Sequence, residues 1–255
     1  MIAVDIGNTS LHFVLFNKNK IESSFKLQTE KTSELSIKKV LSKYSANKIF
    51  VCSVVPRMTR LFHALKKDIS IKKEIFIVDK DISVPILSFY NKKSIGMDRL
   101  VGAYAAKKIY PETRLLLDFG TAITLDFLSK KGDYLGGIIL PGIGSTLKAF
   151  SNCALLPKKI DFTNPKNIIP KDTNESINQG MKEGFSLMIN GLVNKYAKKL
   201  KISNTKKIII TGGEAEIIIP ALKFPYIYEP FLVVKGLKEI SENLNNNFMN
   251  TKYLH

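Results

Sequence analysis

The sequence predicts an α/β fold of two similar lobes with a cleft between them, and three observations predict it. Short apolar β-type runs alternate with amphipathic segments along most of the 255 residues, an order that yields sheets covered by helices. From Arg114 the plan starts again: sliding the chain by 113 residues places Asp118 on Asp5 and Gly120 on Gly7. One repeat of about 110 residues is the size of a domain, not of a solenoid unit.

Each element follows from its residues. Strand Ile2 to Asp5, the turn Gly7-Asn8-Thr9 and strand Leu11 to Phe16 form a hairpin, with a further strand at Ser23 to Leu27. An amphipathic helix from Glu34 to Lys43, a strand from Ile49 to Val54, a helix from Met58 to Lys67 and a strand from Glu74 to Val78 continue it. Ser94 caps a helix running to Lys108, favoured by Ala103, Ala105 and Ala106. The second lobe reads as strands Leu115 to Asp118, Ile123 to Leu128 and Tyr134 to Leu140, then a helix from Gly144 to Phe150. Pro157, Pro165 and Pro170 mark a loop from Leu156 to Thr173. A long helix from Ser176 to Leu200, a strand Lys207 to Thr211, a helix Glu214 to Ala221 and a last helix from Val234 towards Asn245 complete the chain. The lobes are expected over 1–112 with a C-terminal helix at 236–255, and over 113–235.

Composition excludes several classes. Hydrophobic residues at 45% and charged residues at 24% suit an ordinary globular protein, and the amino terminus lacks the basic n-region of a secretory signal. Apolar runs such as Ile208-Ile209-Ile210 are far too short to span a bilayer, so no membrane association is expected. Cys52 and Cys153 belong to no CxxC, and His12, His63 and His255 have no metal-ligand spacing, so a reducing cytoplasm without a zinc site fits. The net charge of +17 is spread as lysine doublets without interleaved aromatics, which reads as solvated surface rather than a nucleic-acid track.

The turn Asp5-Ile6-Gly7-Asn8-Thr9-Ser10 suits phosphate. Glycine admits backbone N–H groups to phosphate oxygens, the amide and hydroxyls donate, and the carboxylate can hold magnesium through water. Turn chemistry alone favours the same residues, so one such hairpin supports either reading; a second at Asp118-Phe119-Gly120-Thr121 favours the nucleotide. No GxxxxGK[ST] P-loop is present, and Gly136 to Gly144 lacks the strand–GxGxxG–helix context of a dinucleotide site.

The ordered set Asp5-Ile6-Gly7-Asn8-Thr9, Ser53-Val54-Val55-Pro56, Gly96-Met97-Asp98-Arg99, Leu117-Asp118-Phe119-Gly120-Thr121-Ala122, Gly136-Gly137-Ile138-Ile139-Leu140-Pro141-Gly142 and Thr211-Gly212-Gly213 resembles the type III pantothenate kinases. The matches run in the family's order over nearly the whole chain. The resemblance implies a duplicated ribonuclease H-like (actin-like ATPase) fold. It also implies ATP-dependent phosphorylation of pantothenate, the first step towards coenzyme A, with magnesium and a monovalent cation, potassium or ammonium, in a homodimer.

By the same resemblance, Asp5 to His12 form the first phosphate loop, Asp5 assists magnesium and Thr121 contacts ATP. Asp98 is the proton acceptor, Gly96, Met97, Asp98 and Arg99 line the pantothenate pocket with Tyr90, Asp118 binds the monovalent cation, and Thr173 reaches substrate at a dimer interface. Ile123 departs from the family, which often has threonine there. Taken alone, Asp98 reads as a first-turn helix carboxylate, Arg99 as a surface ion-pair residue, Asp118 as a turn cap, Tyr90 as a half-buried anchor and Thr173 as a helix cap. Two other functions share many of these features: a non-catalytic regulatory relative that binds nucleic acid, and a kinase of another small hydroxy acid or sugar.

Overall fold

The structure, a computed structural model, describes residues 1–91, 94–150, 168–202 and 207–252, with side chains as far as Leu244. Cys153, His255 and most of the expected 156–173 loop lie outside the described residues. By contacts the chain divides into two units, Met1–Pro111 with Lys131–Tyr134 and Phe231–His255, and Glu112–Lys130 with Leu135–Pro230.

The first unit holds a five-stranded sheet of order β3-β2-β1-β4-β5, made of β1 (Ile2–Ile6), β2 (Ser10–Asn17), β3 (Lys20–Gln28), β4 (Lys48–Ser53) and β5 (Glu74–Ile77). Central strand β1 pairs antiparallel with β2 and parallel with β4, so both its faces must be apolar. Ile2, Val4 and Ile6 enter a core with α1 (Glu34–Ser42) and α2 (Pro56–Lys67), while Ala3 joins Val14, Phe50 and Cys52 on the opposite face. That face is covered by α3 (Met97–Ile109) and α7 (Leu232–Lys252). A Cβ on Gly236 would lie 2.6 Å from the Val101 carbonyl oxygen, so glycine there sets how closely α7 approaches α3. Edge strand β3 alternates exposed and half-buried positions, as one covered face requires.

Local chemistry explains where helices begin. Ser33 and Ser36 form a reciprocal capping box on α1, and Pro56 at the start of α2 extends that helix two residues before the expected Met58. Ser94 is not the cap of α3: its hydroxyl donates to the Asn91 carbonyl, and Gly96, in extended backbone, precedes the first helical residue.

The second unit repeats the strand order as β10-β9-β6-β7-β8, with β6 (Leu115–Phe119), β7 (Ala122–Leu128), β8 (Tyr134–Pro141), β9 (Ile208–Thr211) and β10 (Ile227–Tyr228). Again the central strand pairs antiparallel with the strand after it and parallel with its other neighbour. Two-residue β10 was not expected; it is too short for a hydrophobic period to show. Helices α4 (Ile143–Phe150), α5 (Thr173–Leu200) and α6 (Ala215–Ile218) belong to this unit, and Ile143, Phe185, Ile189 and Ile218 pack with Leu117 and Ile210 in one core. The expected helix to Ala221 changes to a 3₁₀ turn at Ile219–Ala221, where Pro220 removes a donor. Helix α5 begins at Thr173 rather than Ser176, because the Asp172 carboxylate accepts the Glu175 N–H at 2.8 Å. Among the described residues no helix is long and apolar enough to cross a membrane.

Candidate active site

In the first unit, strand register builds a row of functional groups. Asp5 faces His12 on β2 and Cys52 on β4, and His12 in turn faces Lys26 on β3. Directly opposed residues share a sheet face, so all four lie on the side covered by α3 and α7. His12 donates to or accepts from the Ser24 hydroxyl at 2.7 Å, and its ring lies tilted against Phe231 with centroids 5.6 Å apart.

Burial and charge decide the protonation of this row. The Asp5 carboxyl is pushed up to about 7, first by burial and then by the nearby Asp98 charge, with Lys26 partly opposing. Burial, helped by Lys26, pulls His12 down to about 4, so it is neutral at pH 7. Burial next to Asp5 and Asp98 holds the Cys52 thiol protonated, which removes it as a nucleophile.

The turn between β1 and β2 is held from outside. The Gly7 N–H donates to the Ser10 carbonyl, the Thr29 hydroxyl donates to the Gly7 carbonyl at 2.7 Å, and the Thr29 N–H donates to the Thr9 carbonyl. Arg57 fixes Thr29 and Thr32 in turn through their carbonyls. Gly7 is not at positive φ, and a Cβ there would meet only the Ser10 carbonyl oxygen at 3.7 Å. Gly120 is the same: its Cβ would touch nothing closer than 3.6 Å. Neither turn needs glycine for its own conformation.

Asp98 occupies the second position of α3, where its Oδ1 accepts the Arg99 N–H at 2.8 Å. A Cβ on Gly96 would lie 2.5 Å from that same Oδ1, so glycine there keeps space for the carboxylate. Arg99, expected at the surface on simple grounds, is buried, with its guanidinium over the Tyr90 ring at 5.6 Å. The structure therefore brings Asp5 and Asp98 into electrostatic reach of each other, and Arg99 onto Tyr90.

In the second unit, Asp118 faces Thr124 on β7 and Thr211 on β9. Gly212 has φ +97°, and a Cβ there would collide with Asp118 Oδ1 and the Phe119 backbone, so the Thr211-Gly212-Gly213 turn must be glycine to lie against Asp118. The carbonyl of Thr121 accepts from the Gly142 N–H at 3.0 Å and from the Ser145 hydroxyl at 2.6 Å, which anchors the second turn. Ile123, the departure from the family pattern, is wholly buried in the core and makes no polar contribution. Glu214 accepts from the Gly144 N–H at the start of α4. Thr173 is exposed in the first turn of α5, and the cap is its neighbour Asp172. A recess of about 650 Å³ lined by Leu187, Asn190, Val193 and Phe224 contains none of the expected site residues.

Sequence reading missed Thr29, Lys26, Tyr134, Thr124 and Thr211 as neighbours of the expected residues. Only strand register joins Thr211 to Asp118 and Lys26 to His12.

A family model described as Type III pantothenate kinase matches residues 1–195. The chain belongs to that family. Type III pantothenate kinases of Persephonella marina and Sulfurihydrogenibium sp. are 34% and 32% identical to it, covering 94% and 93% of this chain and 97% of each relative. An activator of 2-hydroxyisocaproyl-CoA dehydratase from Clostridium difficile, solved with bound ADPNP, shares the fold at 15% identity, with a TM-score of 0.54 over 96% of this chain and 98% of that one. As a type III pantothenate kinase, the protein is a phosphotransferase that carries out ATP-dependent phosphorylation of pantothenate. The motif resemblance and the family match agree on this reaction.

Proposed function

We propose that the Asp5–His12 turn holds the ATP phosphates and that Asp98 accepts the proton of the pantothenate primary hydroxyl. The single observation that carries the reading is the pair Gly7 and Gly120: two turn glycines whose missing side chains the fold does not require. Space kept beside backbone N–H groups, next to an acid, is what a polyphosphate uses.

Phosphoryl transfer depends on positioning and charge neutralisation, so a carboxylate that takes the hydroxyl proton suffices as base. Gly96 leaves Asp98 room, and the Arg99 N–H orients its carboxylate. Arg99 binds the carboxylate of pantothenate, with Tyr90 against the guanidinium. The duplicated ribonuclease H-like arrangement that the family implies supplies such an acid-and-glycine turn twice.

The residues fit magnesium. Asp5 is a buried carboxyl raised partly by a second carboxylate, which a dication would relieve. Magnesium takes one or two carboxylates plus phosphate and water, a donor set that Asp5 and a triphosphate would supply. When bound, the ion offsets the negative charge of the triphosphate. Asp118, flanked by the threonine pair, has the oxygen-rich chemistry of a potassium or ammonium site. A homodimer that brings Thr173 to a partner's substrate is supported by exposed Ile168, Ile169 and Leu187, on or just before α5. A reducing cytoplasm suits the buried free thiol of Cys52.

A coupled ADP-release assay with pantothenate, with and without potassium, tests the reading. Turnover that depends on pantothenate and rises with potassium is expected; no turnover at millimolar ATP would sink it.

A further inference from the structure

Arg99 is a cation at 8% exposure, and two aromatic rings accompany it. Its guanidinium carbon lies 5.6 Å from the centroid of Tyr90 and 5.8 Å from that of Tyr134. The rings meet each other edge to face at 6.1 Å and 76°. Tyr134 is fully buried, and its backbone is paired on both sides: its N–H donates to the Leu87 carbonyl and its carbonyl accepts the Phe89 N–H, each at 2.9 Å. The segment that pins Tyr134 therefore runs directly into Tyr90, so one short stretch of backbone places both rings against one guanidinium.

We propose that Tyr134 is a positioning residue for substrate recognition, which with Tyr90 holds the Arg99 guanidinium so that one edge is presented to the carboxylate of pantothenate. This deepens the reading given above and rests on Arg99 as the carboxylate contact. A guanidinium recognises a carboxylate best through two parallel N–H bonds, a geometry that a freely turning side chain adopts only at entropic cost. Ring faces are electron-rich, so they compensate a cation withdrawn from water without using the N–H groups that the substrate needs. Orientation of Arg99 before the substrate arrives thus appears in substrate affinity, not in the handling of ATP.

Fluorination of the ring tests this with little change in shape. With Tyr134→Phe as the reference, phenylalanines bearing one, three and five fluorines at position 134 draw electron density progressively from the ring face. The KM for pantothenate should climb stepwise, to roughly 5–10-fold across the series, with the KM for ATP within about twofold and the thermal midpoint steady. Preference for pantothenate over its analogue with an alcohol in place of the carboxylate should shrink by a similar factor. A KM for pantothenate that stays flat across the series overturns the inference, since a purely structural ring would behave in that way. Arg99→Gln tests the underlying reading separately. If it leaves the KM for pantothenate unchanged, Arg99 is not the carboxylate contact and the inference falls with it; if that KM rises while the fluorinated series is flat, only Tyr134 is removed.

Discussion

Asp5 and Asp118 hold the same place on the central strands of two sheets with the same strand order, yet they keep different company. Asp5 faces His12 and Cys52, with the Asp98 charge close enough to raise it, and becomes a carboxyl poised near 7. Asp118 faces Thr124 and Thr211, two neutral hydroxyls. Duplicated topology thus supplies an acid at a glycine turn twice, and the cross-strand neighbours decide what each acid can do. In the function proposed above, the first acid assists magnesium and the second holds the monovalent cation.

The largest effect that can break this comparison is expected at Asp98. Asp98→Asn should lower turnover by about 10²–10⁴-fold, the range of a general base, with the thermal midpoint preserved. Full activity in the coupled assay would remove Asp98 as base and leave the first acid without its distinguishing partner.

Next comes pH. Because the folded Asp5 carboxyl lies at about 7, above its ordinary 3.8, its contribution is present at low pH and lost as pH rises between about 4 and 7. His12 works oppositely: lowered to about 4, it contributes above 6.5 and loses that contribution as pH falls towards 4. In metal-free and nucleotide-free protein the two offset each other. Asp5→Asn should therefore make urea stability rise with pH from 4 to 6.5, and its advantage over the parent should grow to as much as about 4 kcal/mol by pH 7. A parent and variant with parallel pH profiles would show that Asp5 ionises freely.

The glycines sharpen the contrast between space for a ligand and space for the fold. Gly212→Ala, at positive φ and against the Asp118 carboxylate and the Phe119 backbone, should cost about 2–3 kcal/mol in chemical denaturation. Gly7→Ala should leave stability within about 0.5 kcal/mol and raise the KM for ATP about tenfold. The reverse pattern would assign Gly7 to the fold and return the first turn to simple turn chemistry.

Smallest is the monovalent-cation effect. Asp118→Asn should abolish potassium stimulation, and Thr211→Val should weaken it a few-fold while the KM for pantothenate holds, measured by potassium titration of turnover. Unchanged stimulation in both would place the ion elsewhere.

Much of this protein could be read before any fold was known. Buried strands such as Ile2–Ile6 and Ile208–Ile210 declare themselves by composition, and the offset that places Asp118 on Asp5 predicts a repeated plan. The start of α5 was also legible, since Asp172 precedes Glu175 by the three residues of a capping pattern, but Ser176 drew the boundary too late. The start of α3 differs from the expected helix for a physical reason: Gly96 caps it without any side-chain signal, and its glycine is required by the Asp98 carboxylate rather than by the backbone.

By itself the sequence determined the alternation of elements, the duplicated acid-and-glycine turns and the motifs of the family, because period, turn chemistry and residue order are local properties. Tertiary structure alone decided that Thr211 flanks Asp118, that Lys26 and Asp98 set the charge around Asp5, and that Tyr134 lies against Arg99. These pairings arise from strand register and from helices laid on a sheet face, where residues far apart in the chain meet only after the core has closed and water has been excluded around them.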